Sequence, residues 1–462
     1  MAAKIGLLQE ICLPLSEIFF VTRIMKSIPQ FLIAAPTSGS GKTTISHGLI
    51  SLLVSKGYKV QPFKCGPDYI DTKFHKQSCG NPSYNLDSFM ASESHLHTLY
   101  SQYASKADAC IVEGMMGLFD GYDRYKGSSA EIAKILNIPI VLVIRADSSA
   151  YSAAVLAKGF IDFDPNIKVA GVIFNYVGSD RHVNMLKEAC ADLGITCFGC
   201  IKKNSELVYA AQYLGLRFKS KKQIQQHAKS ARDICEEALD IDLLLQQTTR
   251  PVHKEKLPPR SKGELNIWVA HNKESFSFMY AEHLDILRSM GKVTFFDPEN
   301  REIELASNVD LLYLPGGYPE HHVANLMKAE KILQSIRNYI ENGGRTLAEC
   351  GGMMYLATSL ISDNRGELTS HVAGVLPIVI SNKIEERGLS LGYRQFKLGE
   401  QELRGHEFHY TRMISCDPDF HSIAQVYNAK GQPVDTPVFR YKNVIASYTH
   451  LYWGEVDVMS LF

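Results

Sequence analysis

The stretch FLIAAPTSGSGKTT at 31–44 limits the possible folds more than any other part of the chain. An apolar run enters a Gly/Ser-rich loop, and Lys-Thr-Thr then opens an amphipathic stretch. That order reads as strand, phosphate-binding loop and helix. The pattern G-x-x-x-x-G-K-[ST] is met at Gly41, Lys42 and Thr43, while Pro36 holds its first position. Gly39 and Gly41 remain in the loop, so the N–H groups of Ser38, Gly39, Ser40, Gly41, Lys42, Thr43 and Thr44 can curl around phosphate oxygens. The helix that follows offers its positive end to the same anion. Lys42 is placed to reach the terminal phosphates of ATP, and the Thr43 hydroxyl to hold Mg²⁺. An ordinary Gly/Ser turn is the bland alternative, and it does not account for SGSGKTT behind a buried strand.

Further strands are expected at Phe31–Ala35, Lys59–Lys64, Ala109–Glu113, Ile138–Ile144 and Val169–Asn175, with helical patterns such as Thr43–Ser55 and Ala130–Leu136 between them. Strand and helix in alternation imply a parallel sheet covered on both faces, which binds ligands at the carboxyl ends of its strands. FKSKKQIQQHAKSARD reads as a charged helix and VHKEKLPPRSKGE as a polar, proline-bearing linker. A second α/β series opens at Leu265 with LNIWVA, the helix FSFMYAEHLDILRSM, and the strands KVTFF and VDLLYLP. The expected division is an extension at 1–29, a first domain at 30–225, a linker at 226–263 and a second domain at 264–462. The chain's 462 residues suit two cores.

Lys+Arg 49 against Asp+Glu 49 gives no bulk charge to attract nucleic acid or a membrane surface. No run of about 18 apolar residues is present to span a bilayer. Glu10, Pro14 and Glu17 interrupt the apolar start of the chain, which argues against a signal peptide. Ten scattered cysteines form no disulfide framework, and Cys197 and Cys200 lack a second pair to complete a zinc site. A reducing cytoplasm suits them.

Two further stretches end on the edge that carries the phosphate loop. QPFKCGPDYIDTKFH brings Lys64, Asp68 and Asp71 within eight residues, after the second strand. Carboxylates beside a nucleotide hold Mg²⁺, position a substrate, or both; a solvated turn is the alternative. CIVEGMMGLFDG ends its strand at Glu113, where a parallel-sheet ATPase places its Mg²⁺-associated acid.

The second half carries a different chemistry. GRTLAECGGMMYL reads as strand, tight turn and helix, with Cys350 on the turn. A helix start there is expected to lower the thiol pKa. The Gly351 N–H can serve an oxyanion, and a second donor is available at Gly316 or Gly317 in LPGGYPE. His450, after the last apolar strand in NVIASYTHLYW, is the favoured base. His406 and His409 in RGHEFHY compete on composition.

Taken in order, SGSGKTT, QPFKCGPDYIDTKFH, VEGMMGLFDG, AGVIFNYVGSDRH, ESFSFMYAEHLDIL, LPGGYPE, AECGGMMYLA, GHEFHY and ASYTHLYW resemble the cobyrinate a,c-diamide synthase family over roughly residues 30–462. The resemblance implies a dethiobiotin-synthetase-like P-loop domain joined to a class I glutamine amidotransferase-like domain. It implies phosphorylation of the c and then the a acetate of a corrinoid by ATP. Ammonia from glutamine, released through a Cys350 thioester, would then attack. By the same match Thr43, Glu113 and Asp68 look like metal ligands. Lys64, Asp68, Tyr69 and Asp71 look like substrate or phosphate partners, and Asn175 like the residue that reads the nucleotide base. A homodimer is implied by the family alone.

The chain departs from the pattern at Pro36, and at Tyr452, where many class I glutaminases carry an acid two residues after the histidine. Another departure is KKNSELVYAAQYLGL at 202–216. Hydrogenobyrinate or a nickel-sirohydrochlorin would present the same acetates. A regulatory P-loop ATPase with a non-catalytic glutaminase-like domain is the rival from another class.

Overall fold

The structure, a computed structural model, describes residues 26–204, 221–253, 255–258, 262–362 and 368–462. The apolar start of the chain and most of 202–216 lie outside the described residues.

The first sheet contains β1 (Ser27–Ala34), β2 (Val60–Cys65), β3 (Tyr84–Leu86), β4 (Ala109–Glu113), β5 (Ile140–Arg145), β6 (Val169–Val177) and β7 (Cys197–Lys202). Their order across the sheet is β3-β2-β4-β1-β5-β6-β7. All these pairings are parallel. A short β8 (Thr249–Pro251) pairs antiparallel with Ser27–Pro29 of β1. Residues 27–29, expected in the extension, therefore belong to the sheet. Helices α1 (Lys42–Ser55), α2 (Asp71–Cys79), α3 (Glu93–Ala104), α4 (Ser129–Leu136), α5 (Tyr151–Phe163) and α6 (Asp180–Asp192) connect the strands. Apolar clusters lie on both faces, as the continuous apolar strands require.

The expected linker is shorter in the structure. Residues 221–248 form α7 (Lys221–Ala238) and α8 (Ile241–Thr248). On α7 a stripe of Ile224, Ala228, Ala231 and Cys235 is buried at helical spacing. α7 packs closely on α1 at Gly48, where a Cβ would stand 2.5 Å from the Cys235 sulfur. Small residues permit that approach.

The second unit is built on a six-stranded sheet in the order β10-β9-β11-β12-β22-β21. Its members are β9 (Leu265–Ala270), β10 (Gly291–Phe296), β11 (Leu311–Leu314), β12 (Thr346–Glu349), β21 (Val438–Tyr441) and β22 (Val444–Ser447). Only β21 runs antiparallel in it. Two smaller sheets join it. One has the order β14-β13-β15-β18, from Leu368–His371, Ala357–Ser362, Leu376–Ser381 and Arg412–Cys416. The other has the order β20-β19-β16-β17-β23, from Pro433–Val434, Val426–Asn428, Ser390–Leu398, Gln401–His409 and His450–Leu451. The expected helix over FSFMYAEHLDILRSM is shorter: α9 spans Ala281–Met290. Residues before it carry Phe278 and Tyr280 to the boundary between the units instead.

That boundary is polar as well as aromatic. Tyr84 and Tyr103 donate to Asp285 at 2.7 and 2.6 Å. His95 pairs with Glu282 at 2.9 Å, and Tyr393 donates to Asp87 at 2.6 Å. Asp87, His95, Glu282 and Tyr393 are buried, so a missing partner among them would cost about 1–3 kcal/mol. No helix among the described residues is long and apolar enough to cross a membrane.

Candidate functional site

β1, β2 and β4 end side by side, and their loops bring the first set of candidates together. Gly39 and Gly41 take φ of 78° and 98°, values that shape the loop and suit glycine. A Cβ on Gly41 would meet the Asn175 amide nitrogen at 2.2 Å. Asn175 donates to the Ser40 carbonyl at 2.9 Å, so its amide holds the phosphate loop from β6. It also lines a small pocket with Tyr176 and Lys202. Lys42 donates to the carbonyls of Met116 at 2.5 Å and Thr37 at 3.4 Å. Burial and the nearby Lys64 push its pKa down to about 8.

Glu113 is the centre of this site and is fully buried. One oxygen accepts from Thr43 at 2.6 Å and from Lys64 at 3.0 Å. The other meets His75 at 2.7 Å. Lys64 also pairs with Asp71 at 2.7 Å. Burial alone would neutralise Glu113, but Lys64 and His75 outweigh it and hold the carboxyl well below its usual range. Burial works against the charge of Lys64 too, and Glu113 and Asp71 more than restore it. Asp71, sharing that one cation, is pushed by burial up to about 8.

Sequence reasoning passed over His75 as a named candidate. Its signal was present: Asp71 and His75 stand four apart on α2 and so share a face. Asp68 stands close enough to Lys64 and Asp71 for its charge to act on both. Its carboxylate accepts from the N–H groups of Ile70 and Asp71 at 2.7 and 2.8 Å and ties the turn that leads into α2.

The second set stands at the ends of adjacent strands. β12 pairs with β22 in parallel, with Glu349 beside Ser447. Cys350 follows the first and His450 the second. Cys350 takes φ 47° and ψ −104°, a strained corner for a residue with a Cβ. Its N–H donates to the Ser447 carbonyl at 2.7 Å. The turn LPGGYPE fills the space between: a Cβ on Gly316 would strike the His450 ring at 2.1 Å, and one on Gly351 would stand 3.0 Å from the Gly317 nitrogen. Gly317 N–H therefore sits beside Gly351, while Gly316 underlies the imidazole.

The expected lowering of the Cys350 thiol is corrected by the structure. Burial, with Glu320 and Glu407 nearby, pushes its pKa well above the ordinary value. A helix of one and a half turns, Gly351–Leu356, does not offset that. Burial likewise pushes His450 down to about 3, and both ring nitrogens lack a hydrogen-bond partner among the described residues.

Glu349 was missed by sequence reasoning, although an acid closing the buried strand TLAE was a signal. It accepts from Leu451 N–H at 3.3 Å, Trp453 Nε1 at 3.2 Å and Tyr313 at 2.8 Å, and so ties down the chain just beyond His450. Burial pushes it up to about 8. Tyr452, two residues after His450, donates to Glu282 rather than to the imidazole.

A cleft of about 730 Å³ lies between the units and takes in Asp68 and Tyr69 of the first set and His450 of the second. Asp68, Tyr69, Met115 and Asp120 line it from the first unit, and Phe278, Tyr393, His406 and His450 from the second. The Tyr69 ring stacks on Phe278 at 5.2 Å and stands 5.2 Å from His450. This arrangement can activate an anion at one end and perform acyl transfer at the other.

Comparison with known proteins matches residues 31–214 to a CobQ/CobB/MinD/ParA nucleotide binding domain. Residues 267–458 match a CobB/CobQ-like glutamine amidotransferase domain. A cobyrinate a,c-diamide synthase of Caldanaerobacter subterraneus subsp. tengcongensis is 38% identical over 434 residues, covering 91% of this chain and 94% of that protein. A hydrogenobyrinate a,c-diamide synthase of Pseudomonas aeruginosa is 35% identical over 432 residues, covering 92% and 94%. A cobyrinate a,c-diamide synthase of Methanosarcina acetivorans is 34% identical over 464 residues, covering 92% and 93%.

Proposed function

We infer the reaction from one premise: the chain belongs to the family of cobyrinate and hydrogenobyrinate a,c-diamide synthases. It is an ATP-dependent carbon–nitrogen ligase that takes its nitrogen from glutamine. Its substrate is a corrin bearing free a and c acetates, cobyrinate first and hydrogenobyrinate second, since relatives of both names align along the chain. The observation that carries the reading is the cleft that Asp68 and Tyr69 line from the first unit and His450 lines from the second. Met116 and Leu391 line it as well and are exposed, which suits a broad apolar ring.

The N–H groups of Ser38 to Thr44 and the Lys42 ammonium seat the triphosphate. Thr43 and Glu113 would hold Mg²⁺; their oxygens lie 2.6 Å apart at a strand end, a donor pair that fits a hard cation. Bound there, the ion supplies charge neutralisation to the phosphates. An acetate oxygen attacks the terminal phosphorus, the bond to ADP breaks, and an acyl phosphate forms. Lys64, Asp71 and Tyr69 border that reaction, and Asp68 fixes the turn that presents Tyr69. Ammonia then bonds to the acyl carbon and phosphate leaves.

At the other end Cys350 attacks the glutamine amide with His450 as base. The N–H groups of Gly351 and Gly317 face the oxyanion. His450, pushed down by burial to about 3, is neutral and free to accept the thiol proton. All nine cysteines among the described residues are free, which supports a reducing cytoplasm as the setting.

The test is mass spectrometry of cobyrinic acid and of hydrogenobyrinic acid incubated with the protein, Mg-ATP and glutamine labelled with ¹⁵N in its amide. Two labelled nitrogens are expected in the product, and none without ATP. Absence of label in both macrocycles, from protein that hydrolyses glutamine, overturns the assignment of substrate.

A further inference from the structure

The cleft floor holds two imidazoles, and the glutaminase chemistry uses one. β17 runs antiparallel between β16 and β23, with Tyr393 opposite His406 and His406 opposite His450. Directly opposed residues share a face, with Cβ atoms about 5 Å apart. Tyr393, His406 and His450 thus form one cross-strand row, and all three line the cleft. The next pair along that face is Leu391 and Phe408, so an apolar residue would suit position 406 equally well as floor. Instead His406 buries Nδ1 with no hydrogen-bond partner among the described residues, as His450 buries both its nitrogens. Each unpartnered polar atom costs about 1–3 kcal/mol. A second imidazole kept beside the first at that cost calls for a use.

The proton count of the glutaminase supplies one. In the first half the carbon–sulfur bond forms, the carbon–nitrogen bond breaks, and the thiol hydrogen passes through His450 to the leaving nitrogen. Ammonia departs neutral. In the second half a water oxygen bonds to the acyl carbon, the carbon–sulfur bond breaks, and one water hydrogen returns to sulfur through His450. Glutamic acid remains, and its carboxyl proton must leave. If that proton reaches ammonia it makes ammonium, which has no lone pair for an acyl phosphate.

We propose that His406 accepts this surplus proton beside His450 and releases it to water in the cleft, so that nitrogen crosses to the acyl phosphate as ammonia. The proposal rests on the ligase reading above. Around His406 stand Tyr393 and Arg394 on β16, Glu407 on its own strand and His450 on β23, and Asp68, Asp120 and Lys430 line the same cleft. Arg394 and Glu407 are paired with each other at 2.5 Å. Burial, then Arg394, push His406 down to about 4, so the ring is neutral when the proton arrives and gives it up readily.

The experiment counts corrin amides formed per glutamine hydrolysed by the full chain, at neutral and at alkaline pH, using cobyrinic acid and Mg-ATP. For His406→Gln the ratio is expected to fall at least about threefold at neutral pH and to recover at alkaline pH, where ammonium deprotonates unaided. With ammonium chloride as nitrogen source the variant and the wild type should respond alike to pH. Imidazole added to His406→Ala should raise the ratio, a rescue that a packing role would not give. An unchanged ratio, or an equal fall at both pH values, in variants that melt cooperatively overturns the role of His406 alone. Failure of the wild type to form amide from either nitrogen source overturns the ligase reading and this proposal with it.

Discussion

The two candidate sites are built from different materials. At the nucleotide site the charges are paired with one another: Glu113 meets Thr43, Lys64 and His75, and Lys64 also meets Asp71, while the neighbouring His47 buries two nitrogens with no hydrogen-bond partner among the described residues. At the thiol end His450 has no hydrogen-bond partner among the described residues for either nitrogen, and His406 has none for Nδ1. Geometry positions the second site where charge positions the first. Glycines press against the imidazole, a strained corner holds the sulfur, and Glu349 ties down the backbone beyond His450. An anion site must hold fixed opposite charges before its ligand arrives. An acid–base site used in both directions works better with a base whose proton is not already committed.

The largest expected effect tests that separation from the thiol side. Cys350→Ser should lower glutamine-dependent amidation at least about a thousandfold, while amidation from ammonium salts continues. Isotope-labelled product from each nitrogen source measures both. Loss of the ammonia-driven reaction in folded protein would mean that the sites are not independent.

The nucleotide side should break next. Glu113→Gln leaves Lys64 with Asp71 alone and removes the carboxylate facing Thr43. Amidation should fall about a hundredfold or more. Breaking a buried ion pair also destabilises by about 3–5 kcal/mol, which thermal melting would register. Glutamine hydrolysis, assayed on the same preparation, should survive. Equal loss of both activities in protein that still melts cooperatively would erase the contrast.

A pH profile sharpens the comparison without mutation. The Cys350 thiol is held above its ordinary pKa by burial, so its thiolate fraction grows with pH across the neutral range, by up to about tenfold per unit. His450, held at about 3, is already neutral there and adds no acid limb. Glutamine hydrolysis should therefore climb toward alkaline pH. A bell with a limb at the ordinary imidazole value would show that His450 has a partner and that the second site is charge-built after all.

How much of this was legible in the sequence follows from the range of each interaction. SGSGKTT, Glu113 and the Cys350 corner are local: loop, strand end and turn lie within a few residues, so periodicity and glycine spacing suffice. The helices at 221–248 were partly lost in an expected linker because α7 buries mainly alanine and cysteine behind a charged face. Its reason to pack, the glycine at position 48, lies far away in sequence. His75 was readable from its spacing to Asp71. The pairing of Glu113 with Lys64, and the cross-strand row of His406 and His450, depend on sheet registers that one sequence does not fix. The thiol pKa went wrong for a related reason. Helix position is local, but burial and the carboxylates of Glu320 and Glu407 come from elsewhere in the fold.

The smallest expected effect concerns Tyr452, at the place where many related glutaminases carry a triad acid. If Tyr452 did that work, removing its hydroxyl would act on His450 directly. Losing the acid of a triad can lower turnover by about ten thousandfold. In the structure the hydroxyl points elsewhere and donates to Glu282, which also holds His95 of the first unit at 2.9 Å. Tyr452→Phe removes one of the two bonds to that carboxylate and leaves the His95 bond, the ring and the backbone in place. The expected loss is about 1 kcal/mol of stability, with glutamine turnover changed by less than about threefold. Steady-state kinetics and melting on one preparation decide the matter. A large fall in turnover with an unchanged melting temperature would make Tyr452 part of the catalytic relay. A small one leaves it as a brace between the units, and leaves His450 as a base held by packing alone.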